Sequence, residues 1–245
     1  MQPSLAITVV GPGRLGRSLA QLWQRVGHRI TLVGRGAPIP DGDALVLTVP
    51  DSQIPAAAGR LPANGVALHC SGATDLSVFG DRPNRGSLHP VMTFPGPEVA
   101  LPDLRGVPAA VDGDASGLTM ATRLAEDLGL EPVRVPGDRR LYHGAAALAG
   151  NGATTLLAHA RAALISAGVP ADRAGSFLVP LMLDSIRNAA IDPVAALTGP
   201  AARGDHAVLD GHREAMVDAG LDRTAALHGA IMSAAAHLAA QKNQG

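Results

Sequence analysis

The apolar residues of this chain change their spacing a little past its midpoint. Residues 5–10, LAITVV, form a short β-branched run of strand length, and the segment that follows, GPGRLGRSLAQLWQRVG, places Leu15, Leu19, Leu22 and Val26 at helical spacing. HRITLVGR, DALVLTVPDSQI, GVALHCSG and RGSLHPVMTFP repeat the strand pattern, each running into polar, Gly or Pro residues. VPAAVDGD, a helix from about Ser116 to Leu128 with Leu118, Leu124 and Leu128 on one face, and the strand LEPVRV complete this part, which Pro136-Gly137 closes. From Asp138 onward the strand signals stop. Ala/Leu/Ile segments of helical periodicity cover roughly residues 139–167, 171–190, 205–219 and 221–241, broken by AGVPAD, IDPVAALTGPAARGD and DAGLD, where Pro, Gly and Asp gather. The expected architecture is therefore α/β: an N-terminal domain over residues 1–137 with a mostly parallel sheet, followed by an all-α C-terminal domain over residues 138–245.

The first strand-to-helix junction carries chemistry. Gly11, Gly13 and Gly16 fit G-x-G-x-x-G with a strand before and a helix after, the context in which the pattern has physical meaning. Gly11 permits the tight turn, Gly13 lets the backbone approach a pyrophosphate, and Gly16 lets helix and strand pack closely; the helix N-terminus faces the phosphates with N–H groups and the positive end of its dipole. This predicts a Rossmann dinucleotide-binding domain, with Arg14 and Leu15 of the same turn among the cofactor contacts. The second strand ends in Gly34-Arg35, where an NAD-binding protein usually offers a carboxylate to the adenosine ribose. A guanidinium suits the extra phosphate of NADP, so Arg35 predicts NADPH over NADH. In an open parallel sheet the ligand crevice lies beyond the carboxyl ends of the strands. Thr48, Val49, Pro50, Asp51, His69, Ser71, His89 and Pro90 stand there, with Val49, Pro50 and Ser71 expected on the cofactor.

Composition narrows the partners. The chain has 245 residues, 47% hydrophobic and 17% charged, with a formal charge of −1, so it shows no electrostatic footprint for nucleic acid or an anionic membrane. The apolar run of MQPSLAITVVGPG is far too short to span a bilayer and no basic segment precedes it, which leads us to expect a cytoplasmic protein with neither signal peptide nor transmembrane span. The single cysteine, Cys70, allows no intrachain disulfide and reads as a small buried hydrophobe. No metal site is expected, because the histidines lack compact ligand spacing. Lysine occurs only as Lys242, so chemistry in the body of the fold has no lysine to use.

HCSGATDLSVF, GSLHPVMTFP, YHGAAALAGNGATTLLAHA and ALTGPAARGD together resemble the family of Rossmann-like proteins carrying a DUF2520 domain, over nearly the whole chain. This family is similar in organisation to the wider group of 6-phosphogluconate dehydrogenase, ketopantoate reductase and pyrroline-5-carboxylate reductase. The resemblance implies an NADP-dependent oxidoreductase, and some relatives so organised are associated with ketopantoate reduction. It also implies that the first long helix of the C-terminal domain passes the nicotinamide site. Gly150 and Gly152, each costly inside a helix, then leave room for a ligand or a second helix, while Asn151 presents a donor and an acceptor. ALAGNGA is similar to the ALSGSGPA stretch of pyrroline-5-carboxylate reductases, which raises an imine as the rival substrate.

Hydride transfer to a ketone creates an alkoxide that needs a proton donor. Ketopantoate reductases use a helix lysine; this chain has none there, and histidine is the natural replacement. His143, eight residues before Asn151 and so about 80° from it around the helix, is the first candidate for general acid, with Tyr142 behind it. His89 is the alternative donor. His69 and Arg203 are expected on the substrate, Arg203 as a two-pronged carboxylate clamp or else as an ion-pair partner of Asp205 or Asp210. The reading is an NADPH-dependent reductase of a small 2-oxo acid, with ketopantoate foremost. Its rivals are an imine reductase and a catalytically silent NADP-binding redox sensor. The Ala/Leu faces of the helical half predict a homodimer.

Overall fold

A computed structural model describes residues 3–241. Lys242 lies outside them. Seven strands, β1 (Ala6–Val10), β2 (Arg29–Val33), β3 (Ala44–Leu47), β4 (Val66–His69), β5 (Arg85–Pro90), β6 (Pro108–Gly113) and β7 (Glu131–Arg134), form one sheet in the order β2-β1-β3-β4-β5-β6-β7. β1 to β5 run parallel, β6 pairs antiparallel with β5, and β7 follows β6 in parallel. The reversal has a local cause. A parallel return requires a crossover, usually a helix. The segment joining β5 to β6, VMTFPGPEVALPDLRGV, carries Pro95, Pro97 and Pro102 and forms none, so the chain turns straight back.

Two helices cover one face of the sheet. α1 (Arg14–Arg25) and α3 (Ala115–Glu126) bury Leu19, Trp23, Ala121 and Leu124 against Val9, Val46, Leu68 and Leu88. Trp23 Nε1 donates to the Leu124 carbonyl at 3.0 Å and ties the two helices together. The other face packs Val10, Val33, Leu47 and Ala67 against Phe79 and against Ile54 and Ala57 of the short α2 (Ile54–Ala58). Cys70 is buried, as its composition suggested, and burial pushes its thiol up to about 12, so it is inert.

Beyond β7 the chain is helical: α4 (Arg139–Ser166), α5 (Ala171–Ile191), α6 (Pro193–Ala196), α7 (Pro200–Arg203), α8 (His206–Asp218) and α9 (Asp222–Ala240). The break expected over IDPVAALTGPAARGD contains α6 and α7; Asp192 caps α6 through the N–H groups of Val194 and Ala195, and proline opens each. β7 ends at Arg134 and α4 begins at Arg139, and the compact units are Met1–Gly150 and Asn151–Gly245, so the first turns of α4 belong with the sheet unit rather than with a domain beginning at residue 138. In the helical unit the buried residues are Ala174, Ala201, Thr224, Ala225 and Ala239, among those described. No helix among the described residues is long and apolar enough to cross a membrane.

Candidate active site

The glycine turn sits at the carboxyl end of β1. Gly11 has φ of +112°, a backbone conformation that side chains disfavour. A Cβ on Gly16 would stand 2.1 Å from the Gly11 carbonyl oxygen, so α1 lies against the turn only because Gly16 has no side chain. The Thr48 hydroxyl donates to that same oxygen at 2.8 Å and fixes the turn to the end of β3. Gly13 is different: a Cβ there would meet nothing within 4 Å, and the open space lies where a pyrophosphate would approach. A cavity of about 470 Å³ follows, lined by Gly11, Gly13, Arg35, Val49 and Pro50 and by Arg60, with no carboxylate in its wall. These residues fit an anionic dinucleotide. Arg14 is the first residue of α1 and exposed, and Leu15 packs partly against the core.

A second cluster gathers around Gly72, just beyond β4. A Cβ on Gly72 would lie 2.5 Å from His143 Cδ2 and 3.0 Å from the His89 ring, so both histidines close onto bare backbone. The Tyr142 hydroxyl and His89 Nδ1 share a 2.7 Å hydrogen bond, and the His89 and His143 rings meet edge to face with centroids 6.0 Å apart. Tyr142, His143 and His89 are thus brought together. Ser71 is buried, and its hydroxyl oxygen accepts from the N–H groups of Ala73 and Thr74 at 3.2 and 3.0 Å, shaping the loop that carries Gly72.

Arg139 is the residue that sequence reasoning missed. It opens α4, is 8% exposed, donates from Nη2 to the Ser71 carbonyl at 2.8 Å, and stacks its guanidinium 5.2 Å from the centre of the Tyr142 ring. Its Nε and Nη1 are buried without a hydrogen-bond partner, and no carboxylate pairs with it among the described residues. Asp112 acts on it electrostatically but forms its ion pair with Arg134. Burial depresses the Arg139 pKa and raises that of Tyr142, which the guanidinium beside it partly counters. Burial first, then Arg139 and His143, hold His89 down to about 4 against the pull of Asp51. An arginine doublet at a helix start was the only trace of this in the sequence.

The remaining candidates lie apart from these contacts. His69 is fully buried, stacked on Phe79 and held neutral, with a pKa lowered to about 4 by burial and by Arg139. Asn151 and Arg203 belong to the helical unit and are exposed, and no ion pair of Arg203 with Asp205 or Asp210 forms among the described residues. A Cβ on Gly150 would have no neighbour within 4 Å beyond its own stretch of helix. No group of three or more His, Cys, Asp or Glu side chains is placed to hold a metal ion among the described residues.

The profile of the family described as Domain of unknown function (DUF2520) matches residues 107–240, more than half of the chain. Among solved structures, a protein of Bacteroides fragilis described provisionally as an NADP oxidoreductase superposes with a TM-score of 0.80 at 19% identity, covering 96% of this chain and 98% of that one. A protein of Thermotoga maritima gives 0.72 at 23% identity over 97% and 99%. A reductive aminase of Aspergillus terreus, in complex with NADPH and ethyl-5-oxohexanoate, gives 0.72 at 15% identity over 96% and 94%. At such identities the likeness establishes the fold. A search of curated proteins finds no match to the chain.

Proposed function

The chain belongs to the DUF2520 family, and we propose that it is an NADPH-dependent oxidoreductase that reduces a small 2-oxo acid, with ketopantoate the substrate to test first. The glycine turn, the cavity beside it and Arg35 support the cofactor. When bound, the nicotinamide supplies the hydride. The protein supplies charge and a proton.

The observation that carries the substrate class is Arg139. A buried guanidinium without a counter-ion is costly, and that cost falls when negative charge develops nearby. A carbonyl becomes an alkoxide on reduction, whereas an iminium enters as a cation that the same field repels. Since Nε and Nη1 are occluded, Arg139 acts through its field and through its hold on Ser71 and Tyr142, as a positioning residue. His143 is the proton donor in this reading. With a pKa of about 4, His89 stays neutral near pH 7 and orients the Tyr142 hydroxyl rather than serving as an imidazolium acid. Asn151 and Arg203 keep their assigned parts, a hydrogen-bonding contact and a carboxylate clamp.

The rival reading, imine reduction, draws on the likeness to a reductive aminase. NADPH oxidation with ketopantoate, run beside a cyclic pyrroline-carboxylate imine and beside NADH, separates the two. Turnover of the oxo acid with NADPH is expected; turnover of the imine alone would overturn the carbonyl reading, and NADPH binding without turnover of either would favour a sensor.

The reading includes a homodimer. α5 turns Phe177, Leu181, Leu183, Ile186 and Ile191 outward, and apolar side chains around a helix call for a covering surface.

A further inference from the structure

The cavity beside the glycine turn is lined by a second cation, outside the glycine motif and outside the turn after β2 that carries Arg35. Arg60 follows α2, and its Nη2 donates to the carbonyl of Ala37 at 2.7 Å, in the turn just after β2. Arg35 and Arg60 therefore reach the same cavity from two separate elements, one past the end of β2 and one past α2, and the same wall also includes Val33, Gly34 and Ala57. We infer that Arg60 is a specificity-determining residue that forms, with Arg35, a two-guanidinium clamp for the phosphate on the adenosine ribose. This rests on the reading of NADPH as the cofactor.

The chemistry of the donors supports the assignment. A guanidinium carries five N–H donors in a planar fork, and the bond to Ala37 uses one of them, so the side chain stays anchored while further donors remain for a phosphate. A ribose diol is usually held by a carboxylate, and the cavity wall contains none. The Ala37 bond also braces the turn that carries Arg35, beside that turn's own bond from the Ala37 N–H to the Gly34 carbonyl. Substituting either arginine should thus weaken the same interaction.

The test is calorimetric titration of the full chain with 2′,5′-ADP and with 5′-AMP, which differ only in the phosphate concerned, for the unaltered protein, Arg35→Ala, Arg60→Ala and Arg60→Lys. Thermal melting confirms that each variant is folded. The unaltered protein should prefer 2′,5′-ADP. Arg60→Ala should weaken 2′,5′-ADP about tenfold or more and 5′-AMP by less than about twofold, and Arg60→Lys should fall between. Equal weakening of both nucleotides by Arg60→Ala would make Arg60 a brace for the turn alone and overturn the inference, as would an unchanged preference. If the unaltered protein binds both equally, the NADPH reading itself fails and the clamp falls with it.

Discussion

Leu19, Trp23, Leu45, Leu68 and Leu124 of the sheet unit are fully buried, whereas in the helical unit Phe177 and Leu181 each expose 66% of their surface and Ile191 exposes 87%. Both units are rich in apolar residues, and both leave some exposed, Leu141 and Leu148 in the sheet unit among them, but only the sheet unit also encloses a core of large side chains. Strands buried on both faces find neighbours within the sheet and in α1, α2 and α3. α5 buries only Ala174. The first unit thus has an enclosed core of its own, and the second leaves a large apolar face on α5 uncovered.

The largest test attacks the helical side of this contrast. If the proposed dimer uses α5, Leu181→Asp should weaken it by about a thousandfold, because a Leu side chain is worth roughly 2 kcal/mol on burial and a two-fold interface contains it twice. Sedimentation velocity reads the change. A variant that stays dimeric would show that α5 is covered in some other way.

The next test acts on the sheet unit. Unfolded histidine titrates near 6.5, whereas folded His69 and His89 titrate at about 4. Between these pH values the unfolded chain holds more protons, so stability is complete above about pH 6.5 and is lost as the pH falls toward 4. Fully buried His69 alone corresponds to about 3 kcal/mol at the acid end. Denaturant unfolding from pH 7 to 4 should show this decline, and His69→Leu should flatten it.

His143→Ala should lower kcat about a hundredfold while leaving the proposed α5 interface untouched, since it stands on the part of α4 that belongs to the sheet unit. If His89→Ala loses more than His143→Ala in the same assay, the proton donor is misassigned. The smallest effect is expected at Gly72. Gly72→Ala must push the His143 and His89 rings aside, both of them side-chain atoms that can move, and should cost about tenfold in kcat with little change in melting temperature. Gly16→Ala, which would drive a Cβ into backbone, provides the contrasting control because it should destabilise the fold itself.

Local signals were legible in the chain. The glycine turn, the alternation of strands and helices, the change at Pro136-Gly137 and the outward apolar faces of the last hundred residues all follow from spacing within short windows. The antiparallel β6 was less visible, although the prolines of the preceding segment held the reason for it. His89, His143 and Tyr142 could be named as candidates from their residue types and places. Their association could not, because the His89–Tyr142 hydrogen bond joins positions 53 apart.

What the sequence determined by itself is therefore the sheet unit's type, its glycine turn and the absence of lysine from the body of the fold. Tertiary structure alone decided that Arg139 is buried beside Tyr142, held to the Ser71 carbonyl 68 positions away, and that Arg60 shares a cavity with Arg35. Both are ordinary exposed-type residues in the chain, and their roles come from the solvent and the neighbours that folding takes away or supplies. A guanidinium's field depends on how much water screens it, which is set by packing between distant segments and leaves no mark on local residue spacing.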